Sequence, residues 1–465
     1  VNPVPRRTKI VCTIGPASSS EETLRALISA GMNVVRLNFS HGTHDEHARV
    51  IERVRRLSTA MDTAIAILQD LAGPKVRVGA FAADTVELVE GGTFTLTTRD
   101  VLGDETCVSV SYPRLPSEVK PGDKLLLADG SITLEVMGVG GEDVRCRVVV
   151  GGPLSARKGV NVPSGLFGLP ILREKDLFDL RFGVKEGVDF VGLSFVRTGH
   201  DVAVAKKEIA DAGGDAPVIA KIETSAALQR IDEILAEADG MMIARGDLSI
   251  ETPFARVPIV QKQLIAKANS TAKPVITATQ MLFSMVTSSY PTRAEAADVA
   301  NAVLDGSDAV MLSDETTIGK HPVRAVETMA SIVCEAERET AALTVAPERR
   351  EEAAAIAADE ALAQGACELA SRIGADLIAT LTQSGRTARL VAKYRPRQPI
   401  LAASYRVETY RRLALVRDVT PMLVPGSVQT REEMIAVARA ALEARGYRQK
   451  RAVFVARDAV ILGQL

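Results

Sequence analysis

Four charged side chains fall in two closely spaced pairs within residues 217–251: Lys221 with Glu223, and Arg245 with Asp247. A lysine and two carboxylates brought to one place suit a divalent ion with a phosphorylated or enolic ligand. Mg²⁺ takes one or two protein carboxylates and fills its other positions with phosphate oxygens and water. The same residues also read as two surface ion pairs, and from this stretch alone the two readings stand level. Their placement adds to the argument. The apolar runs PVIAKIE and GMMIAR have the length and composition of buried parallel strands. Between them, ETSAALQRIDEILAEA carries Leu228, Ile231, Ile234 and Leu235 at helical spacing and stops at Asp239-Gly240. The charged residues therefore sit at the C-terminal ends of two strands, where a parallel α/β architecture builds its sites.

The remaining chain must supply the frame for that rim. Apolar runs predict strands at 9–15, 34–39, 64–70, 188–195, 217–223, 240–245, 273–279 and 308–313, alternating with amphipathic segments. Ser19 and Glu22 form a capping box for the first helix, and Arg49, Arg53, Arg55 and Arg56 read as the solvated face of the second. Residues 74–168 lose helical periodicity and alternate apolar with polar between Gly and Asp turns, which predicts a small all-β insert. The expected fold is α/β: a (β/α)₈ TIM barrel over 1–73 and 169–345, an inserted small β-barrel lid domain over 74–168, and a C-terminal α/β domain over 346–465. A doubly wound open sheet is the alternative, and polar residues at so many strand ends favour the closed barrel. A helix is expected over 321–345, and in the last domain strands in ADLIATLT, QPILAAS, PMLVPG and RAVFVAR. There Ser384, Gly385, Arg386 and Thr387 open a helix whose backbone N–H groups suit a phosphate; plain capping is the simpler account.

Bulk properties narrow the class. With 465 residues the chain has room for two or three domains. A net charge of −2 leaves no footprint for nucleic acid or an anionic membrane. Its five cysteines are scattered without a CxxC pair, which fits a reducing compartment better than a disulfide framework or zinc site. No apolar run is long enough to span a bilayer, and no h-region precedes the first strand. A soluble, cytoplasmic protein is expected.

With these residues laid out, the chain resembles the pyruvate kinase family over nearly its whole length. The matching stretches are TKIVCTIGPAS (8–18), GMNVVRLNFSHG (31–42), GPKVR (73–77), AKIE (220–223), ARGDL (244–248), ATQML (278–282), PTRAEAADVANAVLDG (291–306) and MLS-ETT (311–317). The resemblance implies phosphoryl transfer from phosphoenolpyruvate to ADP, giving pyruvate and ATP in glycolysis. It implies Glu223 and Asp247 as ligands of Mg²⁺ (with Mn²⁺ as an alternative), and a second Mg²⁺ carried in on the nucleotide. Lys221 and Arg36 would face the transferring phosphoryl group, and the N–H groups of Gly246 and Asp247 would hold the substrate carboxylate. Thr279, with Ser313 and Glu315 as a relay, is the family's candidate for protonating the enolate through water. Positioning water or the substrate carboxylate is an equal alternative for Thr279. Arg77 and Lys158 resemble the ADP-phosphate ligands, with Asn38 and His41 beside the nucleotide. Asn38, Ser40, Asp70 and the carbonyl of Leu71 stand where many members hold potassium. Lys75 replaces an acidic residue in the next segment, which resembles the potassium-independent branch, so no potassium requirement is expected. The family is usually a homotetramer, and PTRAEAADVA resembles an interface helix. Ser249, Asp314 and Phe283 depart from the pattern, and Asp314 puts the relay in question. A Gly/Thr-rich closing loop is missing from the last domain, so a phosphorylated effector other than a sugar bisphosphate is expected at Ser384–Thr387. A catalytically silent regulatory paralogue and another phosphoenolpyruvate-using barrel enzyme are the competing functions. Retention of Lys221, Glu223, Asp247 and Arg36 counts against the first, and Arg77 with Lys158 against the second.

Overall fold

The structure, a computed structural model, describes residues 6–163, 165, 168–343, 356–426, 431–444, 446–456 and 458–464. All eight expected strands are present: β1 (Lys9–Thr13), β2 (Val34–Asn38), β3 (Ala66–Asp70), β4 (Phe190–Leu193), β5 (Val218–Ile222), β6 (Gly240–Ala244), β7 (Val275–Ala278) and β8 (Ala309–Leu312). They close into a barrel in the order β1-β8-β7-β6-β5-β4-β3-β2. Most of these residues are buried on both faces of their strands, so the runs read as continuous apolar stretches without alternation. The strands are shorter than the sequence suggests. Polar residues such as Glu223 and Thr279 lie just past the strand ends, on the loops.

The chain divides into two compact units. One comprises Val1–Asp70, Gly183–Val191 and Lys262–Leu465; the other comprises Leu71–Phe182 and Gly192–Gln261. Within the second unit the insert forms a seven-stranded sheet together with a two-stranded pair, Thr85–Leu88 with Gly152–Ser155. Its alternation is visible in the burial of Ile132, Leu134 and Val136, which point into a core with Phe94, Leu125 and Cys146. In the first unit the C-terminal sheet runs in the order Val419–Leu423, Ile400–Ser404, Leu377–Leu381, Arg451–Val455, Val460–Gln464. The first four were expected. The fifth, Val460–Gln464, is antiparallel to its neighbour and was missed, because a single five-residue strand carries little periodicity.

Three local expectations need correction. The helix expected across 223–238 is two, Ser225–Gln229 and Ile231–Glu237, because the Arg230 backbone leaves the helical region at φ −121°. The first helix is capped by Ser20, whose side chain accepts from the Thr23 amide, and not by Ser19. Arg55 does not belong to a solvated face: its Nη1 lies 2.9 Å from the buried Asp189 carboxylate, and it donates to the Gly187 and Ile65 carbonyls. The helix expected to 345 is described as Pro322–Leu343, and the boundary at 345/346 lies outside the described residues.

Candidate active site

The second unit contains the lysine and both carboxylates. Lys221 is inside β5 and Glu223 one residue past it. In the parallel register Lys221 pairs with Met242 of β6, so Asp247 follows a few residues beyond the adjoining strand end. The Lys221 ammonium lies 3.0 Å from Glu223 Oε1 and donates to Ser194 Oγ at 2.7 Å. Ser194 in turn donates to the Leu71 carbonyl at 2.7 Å, and the second Glu223 oxygen accepts from the Phe195 amide at 2.7 Å. Lys221 and Glu223 are both buried, so this is no surface ion pair. Removing either charge would strand the other in a poorly solvated place. Ser194 also explains Gly73, whose φ is +70° and where an added Cβ would fall 2.7 Å from the Ser194 Cβ. Arg245 donates to Gln261 at 3.3 Å. Ser249, in place of an expected glycine, donates to the Gly246 carbonyl at 2.8 Å.

Lys75 stands 3.7 Å from Asp247 Oδ1 and 3.9 Å from Asp129 Oδ1. Arg77 donates from its backbone to Ser111 and from its guanidinium to the Arg157 carbonyl at 2.9 Å, one residue before Lys158. Sequence reasoning overlooked Glu251. Its carboxylate accepts from the Ser225 amide at 2.9 Å and from Asn161 Nδ2 at 3.4 Å, and burial pushes it up to about 7. Ser194 was overlooked too. A lone serine has no periodicity to betray it, whereas the IE of ARGDLSIE offered a faint signal for Glu251.

The first unit contains the other candidates. Arg36 on β2 donates to Asp70 Oδ2 at 2.6 Å and to Thr13 Oγ1 at 2.9 Å, so its guanidinium is fixed from two sides. Asn38 Oδ1 accepts from the Ser40 amide, and the exposed His41 offers its carbonyl to His47. Thr279 and Gln280 follow β7 with φ of +70° and +55°, and a β-branched residue there marks a constrained loop. Glu315 is buried, and its two oxygens accept from the amides of Leu282 at 3.0 Å and Ser313 at 2.7 Å. Burial raises its carboxyl above the usual range. Asp314 is exposed, and Phe283 is half exposed. In the C-terminal sheet's first loop, Gly385 takes φ +78° to start the helix Arg386–Lys393, and Arg386 pairs with Asp359 at 2.5 Å. Ser384 and Thr387 flank that turn.

Comparison with known proteins bears on this arrangement. A family profile described as pyruvate kinase, barrel domain, matches residues 5–326, and one described as pyruvate kinase, alpha/beta domain, matches residues 360–464. The chain belongs to the pyruvate kinase family. It is 48% identical over 445 residues to pyruvate kinase 2 of Synechocystis sp., covering 94% of this chain and 74% of that one. It is 44% identical over 418 residues to the pyruvate kinase of Thermotoga maritima, covering 90% and 89%. The crystal structure of a pyruvate kinase from Cryptosporidium parvum superposes with a TM-score of 0.91 at 38% identity, covering 99% and 96%. The chain is accordingly a phosphotransferase of glycolysis, and the family's substrates are phosphoenolpyruvate and ADP. The family generally needs a divalent metal. No helix among the described residues is long and apolar enough to cross a membrane.

Proposed function

We propose that this chain moves the phosphoryl group of phosphoenolpyruvate to ADP with Lys221, Arg36, Glu223 and Asp247 as its working residues. The buried Lys221–Glu223 pair, bridged by Ser194, carries this reading. Among the described residues no group of three or more His, Cys, Asp or Glu converges to cage a metal. Two carboxylates at adjoining strand ends instead fit an ion that completes its shell with substrate oxygens and water. Glu223 and Asp247 would hold Mg²⁺, or Mn²⁺ in its place, and a second ion would arrive on the nucleotide. When bound, the metal supplies charge neutralisation to the phosphoryl and enolate oxygens.

The side chains supply the rest. Lys221 places a fixed ammonium where negative charge builds on the phosphoryl and enolate oxygens, and Arg36 clamps the phosphoryl group with a preorganised guanidinium. The amides of Gly246 and Asp247 orient the substrate carboxylate. Thr279 positions the water that protonates the enolate carbon. Glu315, with both oxygens taken by backbone amides, holds the loops carrying Thr279 and Ser313 in place, a positioning role in preference to a proton relay. Arg77 and Lys158 bind the ADP phosphates, with Asn38 and His41 beside the nucleotide, and the insert at 74–168 acts as a lid that excludes water. A coupled assay of pyruvate formation with and without ADP tests the reading. ADP-dependent pyruvate supports it, and no pyruvate with ADP and Mg²⁺ present would refute it.

Potassium independence belongs to the same proposal. Asn38 Oδ1 accepts from Ser40, Asp70 from Arg36, and the Leu71 carbonyl from Ser194, so these oxygens already have protein donors. Lys75 adds a tethered unit charge beside Asp247. Turnover measured with Mg²⁺ in tetramethylammonium buffer should change little when potassium replaces that salt at fixed ionic strength. A tenfold rise, by contrast, would show that the ion is needed; the threshold is about 1.4 kcal/mol of barrier.

The family resemblance supports assembly into a homotetramer, which sedimentation velocity would test, a monomer refuting it. A phosphorylated effector at Ser384–Thr387 would have to draw Arg386 from Asp359. Titration of phosphorylated metabolites against the phosphoenolpyruvate saturation curve decides that point: no shift by any of them removes the site. The family's place in glycolysis supports a cytoplasmic location, which fractionation of the source cell would contradict by finding the protein elsewhere.

A further inference from the structure

The lid's return strand, Gly159–Asn161, meets the helix Arg245–Glu251 through one carboxylate. Glu251 accepts from Asn161 Nδ2 at 3.4 Å and from the Ser225 amide at 2.9 Å, while Ser225 Oγ donates back to the Glu251 carbonyl at 3.0 Å. Three segments converge there. One follows Glu223 by two residues, one carries Gly246 and Asp247, and one ends three residues after Lys158. The junction is not packed solid. A cavity of about 60 Å³ borders it, lined by Lys75, Asn161, Phe195, Arg197, Thr224 and Glu251. That is room for several waters, so the polar ties join strand and helix beside a space that water can enter. Gly130, on a lid hairpin, approaches Ile250 next to Glu251: a Cβ there would lie 3.3 Å from the Ile250 side chain.

We infer that Glu251 is a positioning residue: it couples the strand bearing Lys158 to the strand ends bearing Glu223 and Asp247, so that nucleotide phosphates and metal are held in register. It touches neither substrate nor metal in this account, and the inference rests on the phosphoryl-transfer reading above. The two ties are separable. Asn161→Ala cuts the lid tie alone and keeps the bond to Ser225. Glu251→Ala cuts both. Glu251→Gln can keep both, with its side-chain oxygen accepting from the Ser225 amide and its NH2 donating to Asn161 Oδ1 once the Asn161 side-chain amide turns over.

The test compares the full-length wild type with these three variants, measuring KM for ADP, KM for phosphoenolpyruvate, kcat, and Mn²⁺ affinity by the free-ion EPR signal without substrate. Losing a hydrogen bond to a carboxylate should raise KM for ADP about three- to tenfold in Asn161→Ala, with kcat, KM for phosphoenolpyruvate and Mn²⁺ affinity within twofold. Glu251→Ala should raise KM for ADP at least as much and also weaken Mn²⁺, and Glu251→Gln should restore both. A wild-type KM for ADP in Asn161→Ala overturns the inference. So does a loss confined to kcat, or failure of Gln to rescue. If Glu251→Ala does not fold, Asn161→Ala and Glu251→Gln still decide the matter. A wild type with no ADP-dependent activity would overturn the functional reading instead, and the Mn²⁺ signal would still report on Glu251.

Discussion

Ser194 shows what a single hydroxyl does here. It takes a hydrogen bond from Lys221 and gives one to the Leu71 carbonyl, so it fixes the ammonium that we propose faces the transferring phosphoryl group. Ser194→Ala leaves Lys221 charged with one partner fewer. Turnover should fall about tenfold, the worth of a hydrogen bond to a charged group, with melting nearly unchanged; wild-type turnover would show that Glu223 alone suffices. Glu251 offers a second test through pH. Burial raises its carboxyl from 4.5 to about 7 in the folded protein, so the native state keeps a proton that the unfolded chain releases. Its contribution to stability is therefore full below about 4.5 and lost as pH rises through about 7. Glu251→Gln should lessen the fall in melting temperature between roughly pH 5 and pH 8, and an unchanged difference would contradict the assignment. The closeness of Lys221 and Glu223 was legible in the sequence because both fall at the end of one strand. Ser194 and Glu251 were not, since their partners are 27 and 26 residues away and nothing local marks the pairing.

At the scale of elements, Arg55 is the instructive error. Its position on the helix His44–Ala60 resembles that of three other arginines, yet its guanidinium reaches the buried Asp189, which also accepts from the Ile67 amide on β3. Burial raises the Asp189 carboxyl and Arg55 opposes that shift. Arg55→Ala leaves the carboxylate without its cation and should destabilise the protein by about 3 kcal/mol, read from the urea midpoint. Adding Asp189→Asn should recover part of the loss; no recovery would mean that Arg55 acts through packing. Helical periodicity identifies the face a residue occupies, but a long side chain can reach back past the edge of that face. The break at Arg230 has a similar origin. Apolar spacing continues through it, while the backbone is pinned by Thr224, which caps one end, and by Ser225, held to Glu251. Strands were easier to place, because eight runs buried on both faces leave few alternatives.

For the whole molecule, the order of eight strands, the inserted sheet and the last α/β region were legible because continuous apolar runs, alternating strands and helical spacing leave different patterns. What stayed hidden was the fifth C-terminal strand and the polar ties that join segments distant in the chain. We propose that Lys221, beside two carboxylates that would hold the metal, drives phosphoryl transfer from phosphoenolpyruvate to ADP. Phosphorus NMR of phosphoenolpyruvate, ADP and Mg²⁺ with wild type and Lys221→Met, each checked for folding by its melting curve, tests this most directly. The wild type should convert phosphoenolpyruvate to ATP one for one. The variant should melt as a folded protein and work about 10²–10³-fold more slowly. A folded Lys221→Met protein that makes ATP at the wild-type rate would contradict the account.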